Sequence, residues 1–293
     1  MRERVDAIEA LIHRDVGRGV DALFAASRGG LWGAASGLRE GPVGIVTGFF
    51  VPKAVPPAAE TDGPAAAALL ALALSRVGVV CQVLTDTLCR PACEAALAGA
   101  GFSAGAVPVE SMRPDDALEP VIDAWRAAGV AWAVAIERGG VSVDGRQRNM
   151  RGEDISASMA PLDRVFSAGP WRTIGIGDGG NEVGMGALPA GLVAAEVPFG
   201  EQIACETPAD HLIVAGVSHW AAYALIGAWA VVRPDWREAM LSCLDPDLDR
   251  RILAGLVADG PAVDGVTLAR ALTIDGIDLD AHHAVLTAIR ALA

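Results

Sequence analysis

The chain has 293 residues, 52% hydrophobic and 20% charged, which suits one large α/β domain or two modest ones and argues against a disordered chain. Its formal net charge of −13, from 36 acidic against 23 basic side chains, lacks the basic footprint that nucleic acid needs. Such an acid excess either serves solubility or gathers in part around a metal ion.

Met1–Val20 is charged and amphipathic without a long apolar core, which does not suit a secretory signal, and residues 1–40 read as a helical segment. Val43–Val51 predicts a strand. The three-proline stretch Pro52–Ala59 predicts an extended lid or edge, and Pro64–Arg76 an alanine- and leucine-rich helix with proline in its first turn. Strand Val79–Leu84, helix Leu88–Ala98, strand Ala106–Val109, helix Ala117–Ala128 and strand Ala131–Ile136 follow, then a polar interruption to about residue 158. Trp171–Ile176 is the next strand. His211–Val232 has 22 residues without an acid, Lys or Arg, the length of a membrane span. A Gly-Val-Ser-His turn at 216–219 divides it instead into strand Leu212–Ala215 and a helix from about Trp220. Trp236–Cys243, Pro246–Ala258 and Asp280–Leu292 read as helices.

Apolar strands alternating with helices predict a three-layer α/β/α sandwich with a mostly parallel sheet and a helical C-terminal region. A single domain is expected over 1–293, with the sheet core and site in 43–232 and a mainly helical part in 233–293. Five cysteines form neither a disulfide framework nor a zinc pattern, so reduced, buried thiols in a cytoplasmic protein are expected. Trp220, Trp229 and Trp236 suit either a core or a homo-oligomer interface.

Each apolar strand runs into polar or turn residues on its C-terminal side: Thr47-Gly48, Thr85-Asp86, Glu110-Ser111, Glu137-Arg138, Gly177-Asp178 and Ser218-His219. Open α/β sheets bind ligands there, so these residues are expected to share a rim. Thr85, Asp86 and Glu110 suit helix capping equally well. The densest signal is Gly175–Gly186, with six glycines around Asp178, Asn181 and Glu182. Oxygen donors in that setting suit a hard cation: Mn²⁺, Mg²⁺ or Ca²⁺. Gly175, Gly177 and Gly180 also fit a dinucleotide fingerprint, although Asp178 would repel a pyrophosphate; a purely structural turn is the third reading.

Glu60-Thr61-Asp62-Gly63-Pro64 precedes a helix, where Thr61 or Asp62 could cap it or Glu60 and Asp62 could join a metal shell beside an anion-binding helix end. In the polar cluster Glu137-Arg138 and Asn149–Asp154, Arg138 or Arg151 suits a carboxylate clamp or an ordinary surface ion pair. His219 alone among the histidines falls at the rim.

With these strings assembled, the chain resembles the family of the C-terminal domain of D-glutamate cyclase, also found as stand-alone bacterial and archaeal proteins. The resemblance rests on Thr47-Gly48-Phe49, Glu60–Pro64, Glu137-Arg138, Asn149-Met150-Arg151-Gly152, Gly175–Gly186, Ala209-Asp210 through Ser218, and Val263–Val266. It implies an α/β fold and conversion of D-glutamate to 5-oxo-D-proline and water. Two positions depart from the family pattern: Gln147-Arg148 where aromatic residues are expected, and His219 where Asn is expected.

The combined expectation is a metal-assisted lyase acting on a small acidic metabolite. Glu137, Asp178 and Glu182 are the expected catalytic groups, and Glu60, Asp62, Asp178, Asn181 and Glu182 the expected ligands of a divalent cation. Thr47, Thr61, Gly63, Arg138, Asn149, Arg151, Ser218 and His219 are expected to bind substrate. A metal-dependent hydrolase of a small phosphate or amide, and a non-catalytic binding protein, are the alternatives.

Overall fold

The computed structural model describes residues 1–38 and 41–293; the last two residues of the predicted helical segment 1–40 lie outside them. Its central strands are short and mostly buried, and successive side chains take opposite faces. Strand β1 (Val43–Thr47) sends Val43 and Ile45 into one hydrophobic cluster and Val46 into another. A small antiparallel hairpin follows, β2 (Phe50–Val51) with β3 (Ala58–Ala59). The remaining sheet strands are β4 (Cys81–Asp86), β5 (Val109–Met112), β6 (Trp132–Ile136), β7 (Arg172–Gly177) and β8 (His211–Val214). A second hairpin pairs β9 (Thr273–Ile274) with β10 (Ile277–Asp278).

The six-stranded sheet is parallel throughout, in the order β5-β4-β1-β6-β7-β8. The chain winds outward from β1 through β4 to β5, then returns to β6 on the other flank and continues to β8. Such double winding opens a crevice at the carboxyl ends of β1 and β6, where the direction of winding reverses.

Helices α1 (Arg2–Ile12), α2 (Asp21–Ser27) and α3 (Gly30–Gly37) precede the sheet. Those that follow are α4 (Asp62–Ser75), α5 (Arg90–Gly99), α6 (Glu119–Ala127), α7 (Leu162–Ser167), α8 (Leu192–Glu196) and α9 (Gly200–Ile203). The last four are α10 (Ser218–Val232), α11 (Arg237–Leu241), α12 (Pro246–Ala258) and α13 (Leu279–Leu292). On one face α4 and α10 are buried almost all round, because their many alanines let α1, α3, α5, α12 and α13 pack against them. Trp220, Trp229 and Trp236 fill that core. The opposite face is thinner and holds Trp125 of α6, Phe166 of α7 and Trp171. The result is the predicted three-layer arrangement.

The differences from expectation are local. The strand predicted over Val43–Val51 stops at Thr47, where Gly48 adopts φ +104° and turns the chain into the β2–β3 hairpin. The third strand begins at Val109 rather than Ala106, since Ser103–Gly105 lies in turns. Hairpin β9–β10 was not foreseen, because two-residue strands carry no periodicity. His211–Val232 divides into β8 and α10, and no helix among the described residues is long and apolar enough to cross a membrane. All five cysteines are free and buried.

Candidate active site

Elements far apart in sequence deliver their polar residues to the crevice. The Thr47 hydroxyl at the end of β1 donates to the Ile136 carbonyl at 2.8 Å, tying β1 to β6. Glu137 follows β6, Asp178 follows β7, Asp62 opens α4 and Ser218 opens α10. Asp62, Glu137 and Asp178 are buried, and one oxygen from each lies within 4.8 Å of the others. Gly63 permits that approach: a Cβ there would stand 2.6 Å from the Thr47 hydroxyl oxygen. Ser218 braces two of the three acids, its Oγ donating to Glu137 Oε2 at 2.6 Å and its backbone N–H to Asp178 Oδ2 at 2.9 Å.

The glycine-rich stretch forms the loop that presents Asp178. Its backbone amides at Asp178, Gly179 and Gly180 donate to the Glu182 carboxylate at 3.1, 2.8 and 2.8 Å. Glu182 is therefore spent on shaping the loop. Asn181 donates through Nδ2 to the Arg148 carbonyl at 3.0 Å, while its buried Oδ1 has no hydrogen-bond partner. No helix opens directly after these glycines, as a dinucleotide fingerprint would require; the next one is α8 at Leu192.

Above the acids lies a cavity of about 680 Å³. Glu60, Glu137, Asp178, Asn181 and Asp275 line its polar side, and Phe49, Phe50, Val266 and Leu268 its apolar side. Asp62 sits just beneath, 2% exposed. The segment around Val263 runs beside Glu60, accepting from the Thr61 amide at 2.9 Å, so two separate strings of the sequence form one wall.

Burial pushes the carboxyls of Glu60, Asp62 and Glu137 well above the usual range, and neighbouring acids push them further. The same causes raise Glu182 to about 7 and Asp275 to about 8. Glu60 Oε1, both oxygens of Asp62, Asn181 Oδ1 and Asp275 Oδ2 are buried without hydrogen-bond partners. Unpartnered buried carboxylate oxygens are costly unless a proton or a cation satisfies them. An all-oxygen donor set with orphaned oxygens fits a hard divalent cation.

The other residues expected to bind substrate are distributed differently. Asn149 and Arg151 line the cavity, where Asn149 Oδ1 accepts the amides of Arg151 and Glu153 at 2.9 and 3.1 Å. Thr61 is buried and its hydroxyl donates to the Thr273 carbonyl at 3.0 Å. Arg138 is fully buried against Asp86 and donates to the Gly48 carbonyl at 3.0 Å and to the Ala160 carbonyl, bracing the crevice from behind. His219 is buried with Nε2 2.7 Å from Asp249 Oδ1 on α12. Adjacent residues on a helix point about 100° apart, so with Ser218 facing the acids His219 turns into the helical layer. Glu110 lies exposed on the edge strand β5.

Two residues of the site escaped the sequence reading. Arg18, between α1 and α2, pairs with Asp178 and, at 2.8 Å, with Asp275. Asp275 sits at the tip of the β9–β10 hairpin with φ +55°, followed by Gly276 at φ +75°. An Asp-Gly pair between short apolar runs signals such a turn, although nothing in it points to the distant crevice. For Arg18 the sequence holds no comparable signal.

Fold and site together define a doubly wound α/β protein whose crevice holds a buried carboxylate cluster suited to a divalent cation. The family model described as D-glutamate cyclase-like, C-terminal, matches residues 8–290, and the chain belongs to that family. It is also similar to human mitochondrial D-glutamate cyclase, with 30% identity over 172 residues. That match covers 52% of this chain and 28% of the human protein.

Proposed function

We propose that this protein cyclises D-glutamate to 5-oxo-D-proline and water, aided by a divalent cation. The observation that carries the reading is the convergence of Asp62, Glu137 and Asp178 within 4.8 Å beneath a cavity. Family membership supplies the reaction class. Ring closure joins the α-nitrogen to the γ-carboxyl carbon and expels one γ-oxygen as water. The ammonium therefore loses two protons and the departing oxygen gains two.

Asp62 and Asp178 of that cluster are the groups that would hold the cation, with the unpartnered oxygens of Glu60 and Asn181 on the cavity wall as further donors. When bound, it supplies stabilisation of the negative charge that develops on the γ-carboxyl oxygens. Glu137 takes the two ammonium protons in turn and delivers each to the leaving oxygen, ending ionised as it began. Burial and nearby acids raise its carboxyl above the usual range, which makes it a stronger base than an exposed carboxylate. Ser218 fixes Glu137 Oε2 and leaves Oε1 to face the amine. Asn149 and Arg151 at the rim receive the α-carboxylate, while Phe49 and Phe50 limit water near the reacting groups.

The test is 5-oxoproline formation from D-glutamate with Mn²⁺, Mg²⁺ or Ca²⁺, compared with Asp178→Asn. Turnover that needs the cation and falls by about 100-fold or more in the variant is the expected result. Saturable D-glutamate binding without product would make the chain a binding protein. Phosphate release from a panel of small esters would make it a hydrolase.

A further inference from the structure

Arg18 stands out among the cations that line the cavity. Lys53 is 66% exposed and paired with Glu153, and Arg151 is exposed at the rim. The Arg18 side chain is 12% exposed and reaches into the acid cluster, where one terminal nitrogen pairs with Asp178 and the other with Asp275. Its backbone is carried by a short turn: Gly17 and Gly19 have φ +98° and +75°, and Asp15 Oδ1 accepts the Arg18 amide at 2.8 Å. Asp178 is thus shared. It belongs to the carboxylate triad, yet its Oδ1 is held by Arg18 and its Oδ2 by the Ser218 amide.

Resting on the divalent-cation reading above, we infer that Arg18 is a tethered cation that competes with the metal ion for Asp178 and, once displaced, becomes the clamp for a substrate carboxylate. Of the three acids in the triad, Asp178 is the one Arg18 neutralises, whereas both oxygens of Asp62 have no hydrogen-bond partner. A divalent ion and a guanidinium in contact with the same carboxylate repel each other, so binding of the ion weakens the Arg18–Asp178 pair. The guanidinium already lines the cavity and matches a carboxylate in bidentate geometry. Arg18 then shares the α-carboxylate with Arg151, which lines the same cavity.

The test uses the full chain and its Arg18→Gln and Arg18→Lys variants, with Mn²⁺ and with glutarate, a dicarboxylate that lacks the amine and cannot cyclise. Calorimetry should show Mn²⁺ binding about 10-fold tighter in Arg18→Gln than in the wild type, because the competing charge is gone. The Mn²⁺-loaded Arg18→Gln variant should bind glutarate about 10-fold more weakly. Arg18→Lys keeps the charge but loses the fork, so its Mn²⁺ affinity should match the wild type while glutarate binding weakens. Folding is checked by thermal unfolding, and should Arg18→Gln fail to fold, Arg18→Lys decides alone through its glutarate affinity. Unchanged Mn²⁺ and glutarate affinities in the variants, with Mn²⁺ bound by the wild type, would overturn the role of Arg18 while leaving the cation site standing. A wild type that binds no Mn²⁺, Mg²⁺ or Ca²⁺ would remove the cation reading itself, and the Arg18 inference with it.

Discussion

Single atoms decide what the crevice can do, and Ser218 is the clearest case. Its hydroxyl and amide hold Glu137 and Asp178 at once, so Ser218→Ala should keep the amide contact and lose the 2.6 Å bond to Glu137. We expect a roughly 10-fold fall in 5-oxoproline formation with little change in melting temperature, since one hydrogen bond is worth about 1 kcal/mol. Glu182 works differently. Glu182→Gln leaves one oxygen and one NH₂ where a carboxylate collected three amides, so at least one donor is stranded. That should cost about 1–3 kcal/mol of stability, read by chemical denaturation, and should weaken Mn²⁺ binding through a loosened Asp178 loop. At this scale the sequence was legible where residue type restricts chemistry. Asp62, Glu137 and Asp178 all stand out in the sequence because acids that follow apolar strands or precede a helix fall where open α/β sheets bind ligands and offer a cation hard oxygen donors. The part played by Glu182 was not legible, because a carboxylate serving backbone amides and one awaiting a cation look the same in a string of letters.

Elements set the distances between those atoms. The glycine-rich stretch is dense because β7 and the returning loop touch through their backbones: a Cβ on Gly175 would stand 2.7 Å from the Gly184 Cα and from the Val183 carbonyl oxygen. Gly175→Ala should therefore push the Asp178 loop away from β7 and destabilise the protein by about 1–3 kcal/mol, seen as a lowered melting temperature. Activity should fall further than stability, since the loop carries Asp178. The order of strands and helices followed from apolar runs and their punctuation, and element ends moved by only a few residues where turns intervened. Hairpins β2–β3 and β9–β10 and the short helices α7, α8 and α9 stayed hidden because such short elements have too little period to read.

Across the whole molecule the buried acids couple folding to pH. The Asp275 carboxyl rises from 3.8 to about 8 and Glu182 from 4.5 to about 7 on folding, burial being the first cause in both. Between those limits the folded, metal-free chain holds protons that the unfolded chain has released. Its stability should therefore fall as pH rises from about 4 towards 8. A divalent cation on the neighbouring acids favours loss of those protons, so the rise in melting temperature produced by Mn²⁺ should grow over the same interval. Thermal unfolding at pH 5, 6, 7 and 8, with chelator and with Mn²⁺, measures both slopes. A metal-free melting temperature that climbs with pH would contradict the charge balance described for the crevice.

Patterning along the chain was sufficient for the layered α/β architecture, the parallel sheet and the oxygen-rich strings at strand ends, because hydrophobic period and residue chemistry are local properties. The meeting of Asp62, Glu137 and Asp178, the retreat of Arg138 and His219 into supporting positions, and the arrival of Arg18 and Asp275 from opposite ends of the chain were decided by the tertiary structure. Those outcomes depend on strand order and on the direction each helix presents its side chains, and both are fixed only when the whole core packs.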